Sequence, residues 1–282
     1  TRIFLVFLSL LLSVSVAASR PVIFDEQHIP EALGKYMQFI DDPTGLLDFD
    51  AVQALPTIND QAHQSEQGWK TVQNDNITGG FTKSVYWIRF TAQNITAQPA
   101  AWILESAYSP MDSIELYKPQ TKGHYIKQLA GDHLPFKERD IHYRNVAFAL
   151  SIPAESSFTY YMRFQTNSSM TIQLFKWPGQ TFPESIDIEK MILGLFFGVI
   201  LITAFYNFVS AAFLKDMSYI WISLALIGAS SYSASLNGLS FQYFWPNSIW
   251  LQTVGLPIAM NMSFFCICFY SRNFLNLKSV SP

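Results

Sequence analysis

From residue 84 onward the chain alternates apolar and polar side chains in short runs. SVYWIRFTA (84–92), AAWILESA (100–107), DSIELYKP (112–119), HYRNVAFALSIP (142–153), FTYYMRFQT (158–166) and MTIQLFKW (170–177) are rich in β-branched and aromatic residues. Pro, Gly, Asn or Asp bounds each of them. In the first run Tyr86, Ile88 and Phe90 stand against Val85, Trp87 and Arg89. Side chains on a strand change face with a period of two, so runs of this length and punctuation predict an antiparallel all-β sandwich. The pattern leaves jelly-roll and immunoglobulin-like connections equally open. Residues 20–83 are less regular and predict turns with a short helix.

The pattern changes after TFPESIDIEK (181–190), which reads as a short linker with a proline and mixed charge. Three apolar segments follow, 191–214, 217–237 and 248–271, each long enough for the roughly 20 residues that cross a bilayer. Lys215 lies in the first connection, and Arg272 and Lys278 follow the third segment. GLSFQYFWPNSIW (238–250) holds no Lys or Arg. Positive charge marks the cytoplasmic side, so residues 19–187 belong on the opposite side. Phe241, Tyr243, Phe244, Trp245 and Trp250 in the outer link predict an aromatic belt, with Tyr243, Trp245 and Trp250 as membrane-interface residues. Gly194-Leu-Phe-Phe-Gly198 permits close helix approach and so a homodimer. Pro257 predicts a kink, and Asn207, Asn237 and Asn261 are expected to hydrogen-bond between helices. No charged residue or His lies within the three segments away from their ends, which leaves a proton relay or ion pathway unsupported.

The opening TRIFLVFLSLLLSVSVAAS reads as a secretory signal over residues 1–18. Arg2 supplies the basic start, Ile3 to Leu12 the apolar stretch and Val16-Ala17-Ala18 the small-residue cleavage pattern. Export through a signal peptide agrees with the charge bias at the helices. The two cysteines, Cys266 and Cys268, fall in the third apolar segment, so the exported part relies on its own core. That fits the periplasm of a bacterium, with the helices in the inner membrane. Charged residues make up 14% of the chain, against about 25% in soluble domains. A net charge of −3 without a basic run argues against nucleic acid as a partner.

Catalytic chemistry finds little support in the residue pattern. His28, His63, His124, His133 and His142 lack metal-site spacing, NITGGF (76–81) is a turn rather than a phosphate loop, and no nucleophile elbow occurs. Asp41 and Asp42 lie in a Pro-Gly turn region and are expected to face solvent. No catalytic residue, cofactor or metal is nominated. A ligand site has better support. Aromatic platforms flanked by bidentate donors hold small polar ligands, and Trp87 with Arg89 shares one strand face. The densest charge lies in LPFKERDIHYRNVAFAL (134–150), where Lys137 to Asp140 read as an exposed approach. His142 and Arg144 share parity with Val146, Phe148 and Leu150 in that stretch. Trp87, Arg89, His142 and Arg144 are therefore the ligand-binding candidates. The competing role for each arginine is a structural pair with an acid such as Glu105 or Asp140.

VYWIRFTAQN, LPFKERDIHYRNVAFAL, LGLFFGVILITAFYNFVSAAFLKDMSYIWI, LNGLSFQYFWP and SRNFL together resemble the bacterial seven-transmembrane receptors with diverse intracellular signalling modules. The likeness spans roughly residues 40–280 and covers the type 2 extracellular domain with the first transmembrane helices. It implies a jelly-roll-like sandwich that binds a small ligand, carbohydrate or similar. It further implies an output module, such as a histidine kinase or diguanylate cyclase, which this sequence does not include. No catalytic residue carries over from the family. The expectation is a sensory receptor; a membrane-tethered carbohydrate-binding module and a structural assembly domain are the alternatives.

Overall fold

The computed structural model describes residues 20–24, 30–57, 68–120 and 123–275; the segment read as a signal peptide, with His28, His63 and Lys278, lies outside these described residues. The first part runs β1 (Val22–Phe24), β2 (Glu31–Ala32), β3 (Gln38–Asp42), α1 (Phe49–Ala54), β4 (Lys70–Thr71), β5 (Ile77–Phe81), β6 (Val85–Asn94) and β7 (Ala100–Ser106). It continues with β8 (Ser113–Pro119), β9 (Tyr125–Ala130), β10 (Val146–Ile152), β11 (Ser157–Gln165), β12 (Ser169–Ile172) and β13 (Leu174–Pro178). Helices α2 (Phe182–Leu214), α3 (Ser218–Leu236), α4 (Leu239–Tyr243) and α5 (Ile249–Phe274) follow.

Two mostly antiparallel sheets pack face to face. One has the order β4-β3-β6-β11-β8-β9, with β1 parallel on β6; the other is β10-β7-β13-β2. The alternation on β6 explains the arrangement. Tyr86, Ile88, Phe90 and Ala92 point to the shared core, where they meet Trp102, Leu104, Phe148, Leu150, Ile152 and Leu174 of the facing sheet. The opposite face of β6 is not wet. Val85 and Trp87 pack with Ile40, Trp69, Tyr161 and Val52 of α1 in a second apolar layer. Burial on both sides explains why β6 opens on the unbroken apolar run Val85–Ile88, and each fully buried large side chain contributes about 1.5–3 kcal/mol.

Three readings of the sequence need correction here. The run from His142 becomes a strand only at Val146, because residues 143–145 form bends at the end of a long β9–β10 connection. Asp42 is buried, its carboxylate accepting bonds from Thr44 N, Thr44 Oγ1, Gly45 N and Leu47 N; it shapes the turn from inside rather than facing solvent. TFPESIDIEK is helix, not linker: α2 begins at Phe182 with Pro183 in its first turn, where the missing N–H of proline costs nothing. At 1.5 Å per residue its 33 residues form one rod of about 50 Å.

Helices α2, α3 and α5 are each long and apolar enough to cross a membrane. Serines, not the expected asparagines, bond between helices. Ser223 Oγ donates to the Ala204 carbonyl of α2 (2.7 Å), and Ser263 Oγ of α5 donates to the Ala225 carbonyl of α3 (3.1 Å). Asn207, Asn237 and Asn261 each donate to the carbonyl four residues back in their own helix. A short side chain lets two backbones approach before it bonds across, whereas Asn reaches its own preceding turn.

Candidate functional site

The connection from β9 to β10, residues 131–145, runs along the end of the sandwich that meets the helices and touches each of the three. Phe136 N donates to the Pro246 carbonyl at 3.0 Å. The Phe136 ring stands edge-on to Phe241 of α4, with centroids 5.8 Å apart. Arg139 is buried between those two rings, 4.8 and 5.4 Å from their centroids. Its Nη1 donates to the carbonyls of Tyr143 and Arg144 (3.1 and 2.9 Å), which fixes the turn into β10. Burial pushes its guanidinium down to about 10, still charged at neutral pH. Asp132 accepts a 3.4 Å bond from Gln252 of α5.

Arg144 is the centre of this junction. Its Nη2 pairs with Glu189 of α2, while Nη1 donates to the carbonyl of Asn237 at the end of α3 and to Asn145 Oδ1, both at 3.2 Å. Tyr143 OH donates to the other Glu189 oxygen. Behind the pair, Glu105 of β7 is buried and accepts from Asn145 Nδ2 and Trp177 Nε1, both at 2.6 Å. Burial raises the Glu105 carboxyl above the usual carboxylate range, and the two donors together with the nearby Arg144 charge offset part of that rise. Phe182 seats the start of α2 against Tyr143 and Trp177 on the outer face of the second sheet. Gly238 completes the contact. Its φ is +72°, and a Cβ at this position would lie 2.6 Å from the Arg144 carbonyl oxygen, so only glycine fits.

The same connection also borders a cleft in the sandwich, through Asp140. Where the edges β8–β9 and β10 face each other, a cavity of about 550 Å³ opens over the Leu150 and Tyr160 side chains. Lys118, Gln120, Gln128 and Asp140 supply its polar groups. Lys118 Nζ donates to the Ala149 carbonyl across the two sheets (3.4 Å) and lies 3.9 Å from Asp140, which also accepts from Gln128 Nε2. Burial lowers the Lys118 ammonium. Amides, a carboxylate and an ammonium around an aromatic floor match the hydroxyl-rich surface of a small polar molecule.

The four ligand candidates do not form one site. Trp87 is buried under α1, and its neighbour Arg89 stacks over Trp69 at 4.5 Å while donating to Gln38 Oε1 and Thr57 Oγ1. His142 is exposed beside Phe136, and Arg144 faces α2. The acid paired with Arg144 is Glu189 rather than Glu105 or Asp140. Arg139 is buried, contrary to the expected exposed approach of 137–140, because its stem and guanidinium lie between aromatic rings. Phe241 likewise leaves the aromatic belt for the junction, while Tyr243, Phe244 and Trp250 stay exposed and Trp245 Nε1 donates to Gln252. Glu189, Gly238 and the 118–128 cleft residues escape a reading of the sequence. Only Phe182, Ile186 and Glu189, spaced at i, i+4 and i+7, carried a signal, the stripe of a docked helix.

Comparison with known families agrees with this division of the chain. Residues 34–178 match the 7TMR-DISM extracellular 2 domain, and residues 189–282 match the 7TM diverse intracellular signalling domain. No curated protein matches the chain. Such receptor domains are sensory, and their order places the amino-terminal domain outside the cytoplasm, ahead of the membrane helices. A β sandwich docked onto apolar spans, with both parts matched in sequence, means that the chain belongs to the 7TMR-DISM family of membrane sensory receptors.

Proposed function

We propose that this chain is the sensing part of a receptor in a bacterial inner membrane. Its periplasmic sandwich takes a small polar, saccharide-like ligand in the β8–β9/β10 cleft and signals through the helices toward a cytoplasmic output module. One observation carries the reading: a single connection supplies Asp140 to the cleft and Arg139, Tyr143 and Arg144 to the helix junction. A ligand that takes over the Gln128 and Lys118 contacts of Asp140 shifts the backbone four residues before Arg144. It thereby acts on an equilibrium between junction states to the extent that it binds them unequally. The unbroken α2, seated on the sandwich at Phe182, supports transmission better than a tether does, and so favours the receptor over an attached binding module.

The test is thermal unfolding of the full chain in detergent against a panel of mono- and oligosaccharides. A ligand at 100 times its Kd adds about 2.7 kcal/mol of stability, and Asp140→Ala or Lys118→Met should abolish the shift while leaving the unliganded melting point within about a degree or two. The reading is overturned if no saccharide raises the melting point, or if both variants keep the full shift.

A further inference from the structure

A second cavity, of about 650 Å³, lies on the membrane side of the junction. Helices α2 and α3 are bonded where Ser223 donates to the Ala204 carbonyl, and between that point and the sandwich the cavity opens between them. The wedge between them is walled by Leu193, Phe197 and Leu201 of α2 and by Ile227 of α3, and Gly194 adds empty space, since a Cβ there would meet nothing within 4 Å. Its mouth holds His142, Arg144 and Lys190, with Trp245 at the rim.

We infer that this wedge is a phospholipid site, with one acyl chain between α2 and α3 and the headgroup phosphate beside Arg144. Three observations select that occupant. The wedge begins at Glu189 and Lys190, the last charged residues before the apolar run of α2, so its depth lies within the hydrocarbon layer. There the surrounding solvent is acyl chain, and water is unfavourable against walls that are mostly Leu, Phe, Ile and Ala, with Ser230 and Ser231 of α3 among the polar exceptions. The mouth offers cationic donors, Arg144 and Lys190, to a phosphate oxygen. Glu189 is already engaged by Arg144 and Tyr143, and Asp187 by Lys190 at 3.2 Å, so a phosphate would share these cations rather than meet a free carboxylate. The volume falls in the range of about 300–1,000 Å³ typical of ligand cavities. A lipid here would brace the Arg144–Glu189 pair from below, whatever the sandwich binds.

The experiment uses the full chain in nanodiscs doped with a phosphatidylglycerol that carries a photoactivatable diazirine midway along one acyl chain. Cross-links mapped by mass spectrometry should concentrate on Leu193, Phe197 and Ile227. Gly194→Phe, which fills the wedge, should reduce them at least fivefold. Gly198→Phe, also open around its Cβ but outside the wedge, should leave them unchanged. Ile227→Trp fills the opposite wall and serves if Gly194→Phe does not fold. The same acyl probe on diacylglycerol, without phosphate, should label at least threefold less. Labelling spread evenly over Ile202 and Phe205 on the exposed side of α2 and indifferent to both filling variants would overturn the site. Equal labelling by diacylglycerol would overturn the phosphate contact.

Discussion

Replacing Arg144 by Met keeps the aliphatic stem and removes every polar contact of the junction's central side chain. The wild-type guanidinium pairs with Glu189 and donates to the Asn237 carbonyl, with side-chain exposures of 15% and 28% for the two ions. A surface pair would be worth at most about 1 kcal/mol, and breaking a fully buried one costs about 3–5 kcal/mol. This half-buried pair falls between the two, and Tyr143 still donates to the orphaned Glu189, so the loss should be about 2 kcal/mol. The reporter is the Phe136 amide, whose acceptor, the Pro246 carbonyl, lies across the junction. Its hydrogen-exchange protection measures undocking directly. At tenfold per 1.4 kcal/mol, Arg144→Met should lower that protection about thirtyfold. Amides of β6 and β11 in the core should change less than threefold. Glu189→Gln in the Arg144→Met background should add little, because the two residues act as one unit. Unchanged Phe136 protection would refute the docking role. Parallel loss in β6 and β11 would show instead that Arg144 holds the sandwich itself.

Other perturbations test separate parts of the account. Gly238→Ala forces a Cβ into a left-handed backbone and against the Arg144 carbonyl, and should cost about 1–2 kcal/mol or more, read by the same Phe136 protection. Burial, with Asp112 alongside, pushes the Asp132 carboxyl up to about 6, while Gln252, His133 and Arg139 oppose the rise. Its folded pKa lies above its unfolded value, so folded Asp132 keeps its proton longer and stability falls as pH rises from about 4 through 6. The full fall is about 3 kcal/mol, and Asp132→Asn should flatten it in melts taken across that range. Ser223→Ala and Ser263→Ala should each weaken helix packing by about 0.6 kcal/mol in denaturing-detergent titrations. Asn207→Leu, which breaks only a bond within its own helix, should change it by less than about 0.5 kcal/mol.

The sandwich and the three spans were legible because each rests on a period that survives tertiary context. Tyr86, Ile88 and Phe90 alternate on a strand, and the runs in α2, α3 and α5 exceed a membrane's thickness. The junction was not legible, for physical reasons that differ residue by residue. Strand parity assigned His142 and Arg144 to a buried face, but parity has meaning only within a strand, and β10 starts at Val146. Pro183 and the mixed charges of 184–190 imitate a linker, although proline is at home in a helix's first turn and Phe182, Ile186 and Glu189 share a face. Phe241 belongs by composition to an aromatic belt, and only the distant Phe136 and Arg139 give it a partner. Asp42 sits in a turn that looks solvated, yet four donors from the next five residues enclose it. Contacts between residues far apart in the chain leave no local trace, and the cleft at Lys118 and Asp140 is built from contacts of that kind.

The central claim is that the junction couples the sandwich to the helices and that a ligand shifts the equilibrium between its states. Spin labels at Lys35 on the sandwich and Lys215 at the far end of α2 measure it by pulsed electron resonance in nanodiscs. The account predicts one narrow distance distribution without ligand, a displaced one under saturating saccharide, and a broad one in the Arg144→Met, Glu189→Gln double variant. A broad distribution in the wild-type chain, or one that saturating ligand leaves in place, would contradict it.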